Sequence, residues 1–246
     1  MNGFLGMLGR IGFGLGLACL LIAGAKRAQA AGAIDEAGKL FAIGRPAEAA
    51  SALERTLRTN ALSADLWFNL GQARLQAGEP GRAMAAFRRG HQLSPRDGGI
   101  RAAMEQLRQK VGTSGPHPLA MLTGWLRDEE WAVLALLATA GFGGVLARRL
   151  IRPESAGSRW LVVAAVQIFL VAGWGAAWLG RGLSANAVVV QRDLSVVQAP
   201  VPEARSIGTL AEGVEVRVLR SHGAWAEVEV DGRRAGWIPR SAMTPD

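Results

Sequence analysis

Catalysis in a small protein needs acids, bases, nucleophiles or metal ligands held close together. The 246-residue chain offers three histidines, His91, His117 and His222, and one cysteine, Cys19. The histidines lie in different segments, and none has a second His or Cys at the short spacing of a metal site. Glu129 and Glu130 are adjacent beside an apolar run. Side chains next to each other on a helix do not face each other, so this pair sets charge at a boundary rather than working as an acid and a base. No glycine-rich loop ends in Lys-Ser or Lys-Thr, and there is no Gly-x-Ser-x-Gly and no His-Glu-x-x-His. Glycines 12, 14 and 16 imitate a phosphate loop but lack the strand–turn–helix setting that such a loop requires. The expectation is a protein with no catalytic residues, no cofactor and no metal.

Binding is then the function to look for, and charge narrows it. The formal net charge is +8 and the sequence pI is near 11.2. The excess is mostly arginine, spread over several segments, with Arg148, Arg149, Arg152 and Arg159 in one short gap. A nucleic-acid surface would gather its cations on one face, so nucleic acid is not expected as a partner. One cysteine allows no intramolecular disulfide.

The elements that position everything else are two apolar runs, 131–151 and 160–180. Helices of roughly 20 residues cross a hydrocarbon core of about 30 Å. The second run meets that length. The first reaches it if Arg148 and Arg149 extend their charges toward the headgroups. Both are apolar on every face rather than striped, which favours lipid over a buried hairpin of a soluble protein. Residues 148–159 carry Arg148, Arg149, Arg152 and Arg159 against one acid, Glu154, around the short loop 152–159. The positive-inside rule places this loop in the cytoplasm and both flanking regions outside. Trp131 and Trp160 are expected as interfacial anchors, with Trp174 and Trp178 in similar places. Ala140 with Gly144, and Ala176 with Gly180, are spaced to let the helices approach. Gln167 is a lone polar side chain able to bond across to another helix.

Residues 1–30 read as a secretory signal: Arg10, an apolar stretch from Ile11 to Ala25, and an Ala28-Gln29-Ala30 cleavage pattern. If the segment is retained, it is a third membrane helix. Cys19 lacks the upstream aliphatic residue of a lipidation site.

Residues 31–111 read as paired helices. Trp67, Leu70, Gly71, Ala83, Phe87, Gly90 and Pro95 fall at the offsets of a tetratricopeptide repeat, which this unit resembles. Gly71 and Ala83 stand where two antiparallel helices touch, and Trp67, Leu70 and Phe87 fill the space beside them. Arg74 takes a place where the family usually has an aromatic. A copy thirty-four residues earlier matches Ala37 to Gly71, Leu40 to Arg74, Ala49 to Ala83 and Leu53 to Phe87. Ile100, Met104 and Leu107 mark one more helix, expected to cap the stack. The resemblance implies a concave face lined by Asp65, Phe68, Gln72, Leu75 and Gln76 that takes a peptide of a partner protein. A solvated face without ligand is the alternative. Capture of a C-terminal carboxylate is not expected, because of the clamp positions only Asn69 matches.

A linker with a possible interfacial helix occupies 112–130, where Leu119, Leu122, Trp125 and Leu126 are helically spaced. From 187 to 246 the pattern becomes short strands at about 187–191, 195–198, 207–210, 214–219, 225–230 and 235–238. Val214, Val216 and Val218 alternate with charged residues, and Asp231-Gly232 marks a hairpin turn. Gly223, Trp225, Val228, Gly232, Gly236, Trp237, Ile238 and Pro239 together resemble the bacterial SH3 domain, a small all-β barrel. That resemblance implies either a peptidoglycan or peptide ligand, with Trp225 as the surface contact, or a passive barrel packed on its neighbours.

The fold class expected is therefore a multidomain membrane protein: all-α repeats, a two-helix transmembrane hairpin and an all-β SH3-like barrel. The order of parts resembles the BatE-type proteins of the bacterial aerotolerance (Bat) operons. This resemblance implies a non-enzymatic scaffold in the inner membrane with both outer domains periplasmic. Its implied partners are membrane proteins with von Willebrand A domains and, through them, a MoxR-type AAA+ ATPase. Peptidoglycan is the alternative partner.

Overall fold

The computed structural model describes residues 21, 24–113, 128–151, 159–183 and 186–245. It divides into two units, Met1–Leu93 and Ser94–Asp246. The first unit is helical: α1 over residues 24–42, α2 Pro46–Leu57, α3 Ala64–Gln76 and α4 Pro80–Leu93. Pro46 opens α2 with a backbone angle already fixed for a helix. The Ser63 hydroxyl caps α3 by accepting from Leu66 N. Alanines form much of the core. Ala30, Ala33 and Ala37 bring one face of α1 into a cluster with Ala49, Ala50, Leu53, Leu57, Leu66, Leu70 and Ala73. Ala37, Ala49 and Leu53, the expected counterparts of Gly71, Ala83 and Phe87, are all fully buried. Small residues at these contacts let the helix axes approach, as the repeat pattern requires.

Helix α1 passes through the expected cleavage point after Ala30. Ala30 is buried, and Gln29 Oε1 accepts a 3.1 Å hydrogen bond from Nδ2 of the buried Asn60. Most of the expected signal segment, including Cys19, lies outside the described residues. So does the greater part of the 112–130 linker, including His117.

The second unit holds α5 Gly98–Val111, α6 Asp128–Ile151, α7 Arg159–Leu183 and seven strands. Asp97 caps α5 by accepting from Gly99 N and Ile100 N. This helix, expected to cap the repeats, falls within the second unit. Helices α6 and α7 pack on each other. Gln167 Nε2 donates to Thr139 Oγ1 at 2.8 Å, so the lone polar side chain does bond across the pair. The close approach is at Gly173, where an added Cβ would sit 2.7 Å from the Trp131 ring. It is not at Gly144, which has open space around it. The large indole needs a neighbour without a side chain, and Gly173 supplies one.

One described helix is long and apolar enough to cross a membrane: Glu129–Arg148, 20 residues of mean hydropathy 1.6, with none of it buried. In α7 the apolar stretch is the shorter Ala164–Leu179. Helix α6 starts at Asp128, before the apolar run, and spans 24 residues; α7 spans 25. Residues 152–158, with Arg152 and Glu154, lie outside the described set.

The strands are β1 Ala187–Val189, β2 Leu194–Val197, β3 Ser206–Leu210, β4 Glu215–His222, β5 Trp225–Val230, β6 Arg233–Pro239 and β7 Met243–Pro245. They form one antiparallel sheet in the order β3-β2-β6-β5-β4-β1-β7. Val214 and Val216 are buried while Glu215 and Arg217 alternate with them, as the period of two requires. Asp231 (φ 50°) and Gly232 (φ 77°) make the two-residue turn between β5 and β6. Positive φ at both positions matches the right-handed strand twist. Gly236 (φ 137°) lies where a Cβ would come within 2.8 Å of the Val197 carbonyl oxygen. Only glycine lets β6 pass β2 so closely. The core joins Val189, Leu194, Val196, Val216, Ala226, Val228 and Ile238.

Candidate protein-interaction site

Asp65, Phe68, Gln72, Leu75 and Gln76 all fall on α3, and Gln72 stands three residues before Leu75 and four before Gln76, so the helix carries them as one stripe. Asp65 and Gln76 are exposed, and Phe68, Gln72 and Leu75 are half-buried. Phe68 is also a packing residue: its ring centroid is 5.9 Å from that of Phe87, with the planes tilted by 43°. Phe87 in turn covers Gly71, where a methyl group would overlap its ring. The stripe therefore stands on a packed aromatic base, with Asp65 and Gln76 left to solvent.

Asn69 donates from Nδ2 to its own helix at Asp65 O, 2.8 Å away. That bond takes one of the two N–H groups of the amide that a carboxylate clamp would use. Trp67 is likewise held, donating from Nε1 to Ala61 O at 2.8 Å.

Arg74 is the residue whose role the sequence did not reveal. Its guanidinium is only 14 % exposed and pairs with Glu54 of α2 and, at 2.6 Å, with Glu79 in the turn before α4. Burial lowers its proton affinity, but hydrogen bonds to Glu54 and Glu79 outweigh that, and its pKa stays above the ordinary arginine value. An ion triad thus replaces the aromatic contact that the repeat usually makes here. It ties three elements behind the stripe. Glu54 and Glu79 lie twenty residues before and five after Arg74, so no local pattern announces the cluster.

In the second unit Trp225 is half-buried and lines an open groove of about 930 Å³ with Pro202, Val218, Pro239, Arg240 and Met243. The groove is mainly apolar and Arg240 is its one ionisable side chain. Of these residues the sequence indicated only Trp225; the others come from separate turns and strands. Across β4 and β5, Arg217 faces Glu229 and Arg220 faces Glu227, each pair bridged at 2.6 Å. Among the described residues, no group of three or more His, Cys, Asp or Glu gathers as a metal site would.

Helix pairs closed by small residues at their contacts define a protein-interaction module of the repeat class. A tetratricopeptide repeat family model matches residues 34–97, so α1 through α4 carry this module. Comparison with characterised proteins returns no match over the chain. Repeats of this kind typically bind rather than catalyse, and no enzyme family is indicated.

Proposed function

We propose that the chain is a membrane-anchored scaffold that grips a segment of a partner protein on the α3 stripe. The observation that carries this reading is the repeat match together with a stripe that is backed by Phe87 yet open at Asp65 and Gln76. Helices α6 and α7 are read as a two-span hairpin, supported by the apolar Glu129–Arg148 helix and by the Gln167–Thr139 bond between the two. The 152–159 loop is cytoplasmic in this reading, with the repeats and the SH3-like sheet domain outside. The resemblance to BatE-type proteins suggests the partners: membrane proteins with von Willebrand A domains, and indirectly a MoxR-type ATPase.

Photo-crosslinking from position 75 or 76 of the full-length protein in its native membrane tests the grip. A partner with a von Willebrand A domain should be captured there and not from position 82 on α4. Leu75→Asp should weaken capture on the order of tenfold without lowering the melting temperature, because it strikes a contact face rather than the core. Equal capture from both helices would refute the stripe. An active phosphatase fused within 152–158 would refute the orientation.

The groove beside Trp225 favours a second reading, in which the sheet domain holds peptidoglycan. Trp225→Ala would then abolish co-sedimentation with purified cell-wall sacculi, whereas the scaffold reading leaves it unchanged.

A further inference from the structure

Two ion pairs bracket helix α5. Ahead of its first turn, Arg96 Nη2 donates to Glu130 Oε2 at 2.9 Å, at the start of α6. Near its last turn, Arg108 reaches Glu215, the first residue of β4, although 107 residues and both apolar helices separate them in sequence. The second contact is a fork on a fork: Nε to Oε2 at 2.5 Å and Nη2 to Oε1 at 3.3 Å. Both side chains are only 10 % exposed. Buried charges persist only where geometry and hydrogen bonding compensate their lost hydration. One turn further, Val111 packs against the core cluster of the sheet. Gly112 then takes φ 76° and ends the helix.

We infer that Glu215 and the apolar core residues beside it form a docking surface whose occupant is α5 of the same chain. The occupant is fixed by charge complementarity at Arg108 and by the Val111 contact. Helix α5 therefore works as a clasp on the sheet domain. The consequence is topological: residues 108 and 215 must share one side of the membrane, so the chain between them crosses an even number of times. β4 has two duties in this arrangement. Its first residue holds the clasp, while Val218 and Ser221 further along line the Trp225 groove. The clasp itself is independent of the scaffold reading; only the choice of outer side rests on it.

The test uses the full-length protein with Cys19→Ser as a thiol-free background. Arg108→Cys with Glu215→Cys, treated in detergent with a short bis-maleimide, should give an intramolecular crosslink. The yield should exceed several-fold that of Arg101→Cys with Glu215→Cys, which places the thiol two turns away on α5. Equal yields would overturn the clasp. Charge reversal tests the pair itself. Arg108→Glu or Glu215→Arg alone should lower the melting temperature followed by tryptophan fluorescence, and the double reversal should recover most of the loss. A double variant melting no higher than the worse single one would also overturn it. Reaction of the cysteine pair with a membrane-impermeant bis-maleimide from the outer side separates the two ideas. Crosslinking in detergent but not from outside supports the clasp and overturns the outward orientation.

Discussion

The repeat unit and the sheet both depend on residues too small to keep their neighbours apart, but they use them differently. In the helices, Gly71 and a row of alanines admit a side chain: the Phe87 ring lies over Gly71. In the sheet, Gly236 admits a backbone, the Val197 carbonyl, at a φ of 137° that other residues rarely adopt. A side chain can rotate away from an intruder, whereas a strand held by its ladder cannot. The repeats should therefore bend under substitutions that break the sheet.

The largest expected effect follows from that contrast. Gly236→Ala should cost about 3 kcal/mol or more, since backbone strain and overpacking add. Gly71→Ala should cost about 1–2 kcal/mol, because part of the clash is offset by the better helix propensity of alanine. Urea unfolding of each variant, followed by circular dichroism, checks the order. A Gly71→Ala loss equal to that of Gly236→Ala would remove the distinction.

A second comparison concerns α1. A chain beginning at Ala31 loses Gln29, and with it the partner of the buried Asn60 amide, as well as the Ala30 contact. It should be less stable than a chain retaining residues 28–30 by about 1–2 kcal/mol, the penalty for one orphaned buried donor. Thermal melts of the two chains decide it, and identical melting would mean that water serves Asn60 equally well.

The ion pairs of the two regions give the smaller effects. Arg74→Leu should cost under about 1 kcal/mol, because an apolar side chain can fill a site that usually holds an aromatic and the two glutamates are partly solvated. In the sheet, the hydrogen bond from Arg220 holds the Glu227 carboxyl below the ordinary value of 4.5; burial opposes this, and the charges of Arg220 and Arg234 reinforce it. A carboxylate with a lowered folded pKa stabilises the fold above its unfolded pKa, and that contribution disappears as pH falls through the folded value. Wild type and Glu227→Gln should therefore differ most at neutral pH and converge only as pH falls through the lowered folded pKa, where the wild-type carboxyl becomes neutral like the amide. A gap that stays constant down to acid pH would show that the pair contributes through packing alone.

These regions also differed in how far the sequence revealed them. Ala37, Ala49, Leu53, Gly71 and Phe87 could be placed from the offsets of the repeat family they resemble, and all five are buried. Strands β1 to β6 were legible from alternation and turn residues. Strand β7 was not, since three residues ending in proline carry no alternation, and their pairing with β1 is fixed by chain closure rather than local pattern. The α3 stripe rests on the register of the repeat family, and helical spacing puts its members on one face of α3. What escaped was every feature made by charges distant in sequence, namely Arg74 with Glu54 and Arg108 with Glu215. Opposite charges are common enough that sequence gives no rule for choosing partners.

Ala30 carries a consequence for how such chains diverge. The packing of α1 against α2 and α3 selects a small residue there. Cleavage after Ala30 would take that residue out of the fold, so a chain that keeps it in the core is one in which the bond to Ala31 stays intact. Drift at this junction should be slower than at Gly32 or Gly38, whose surroundings are open.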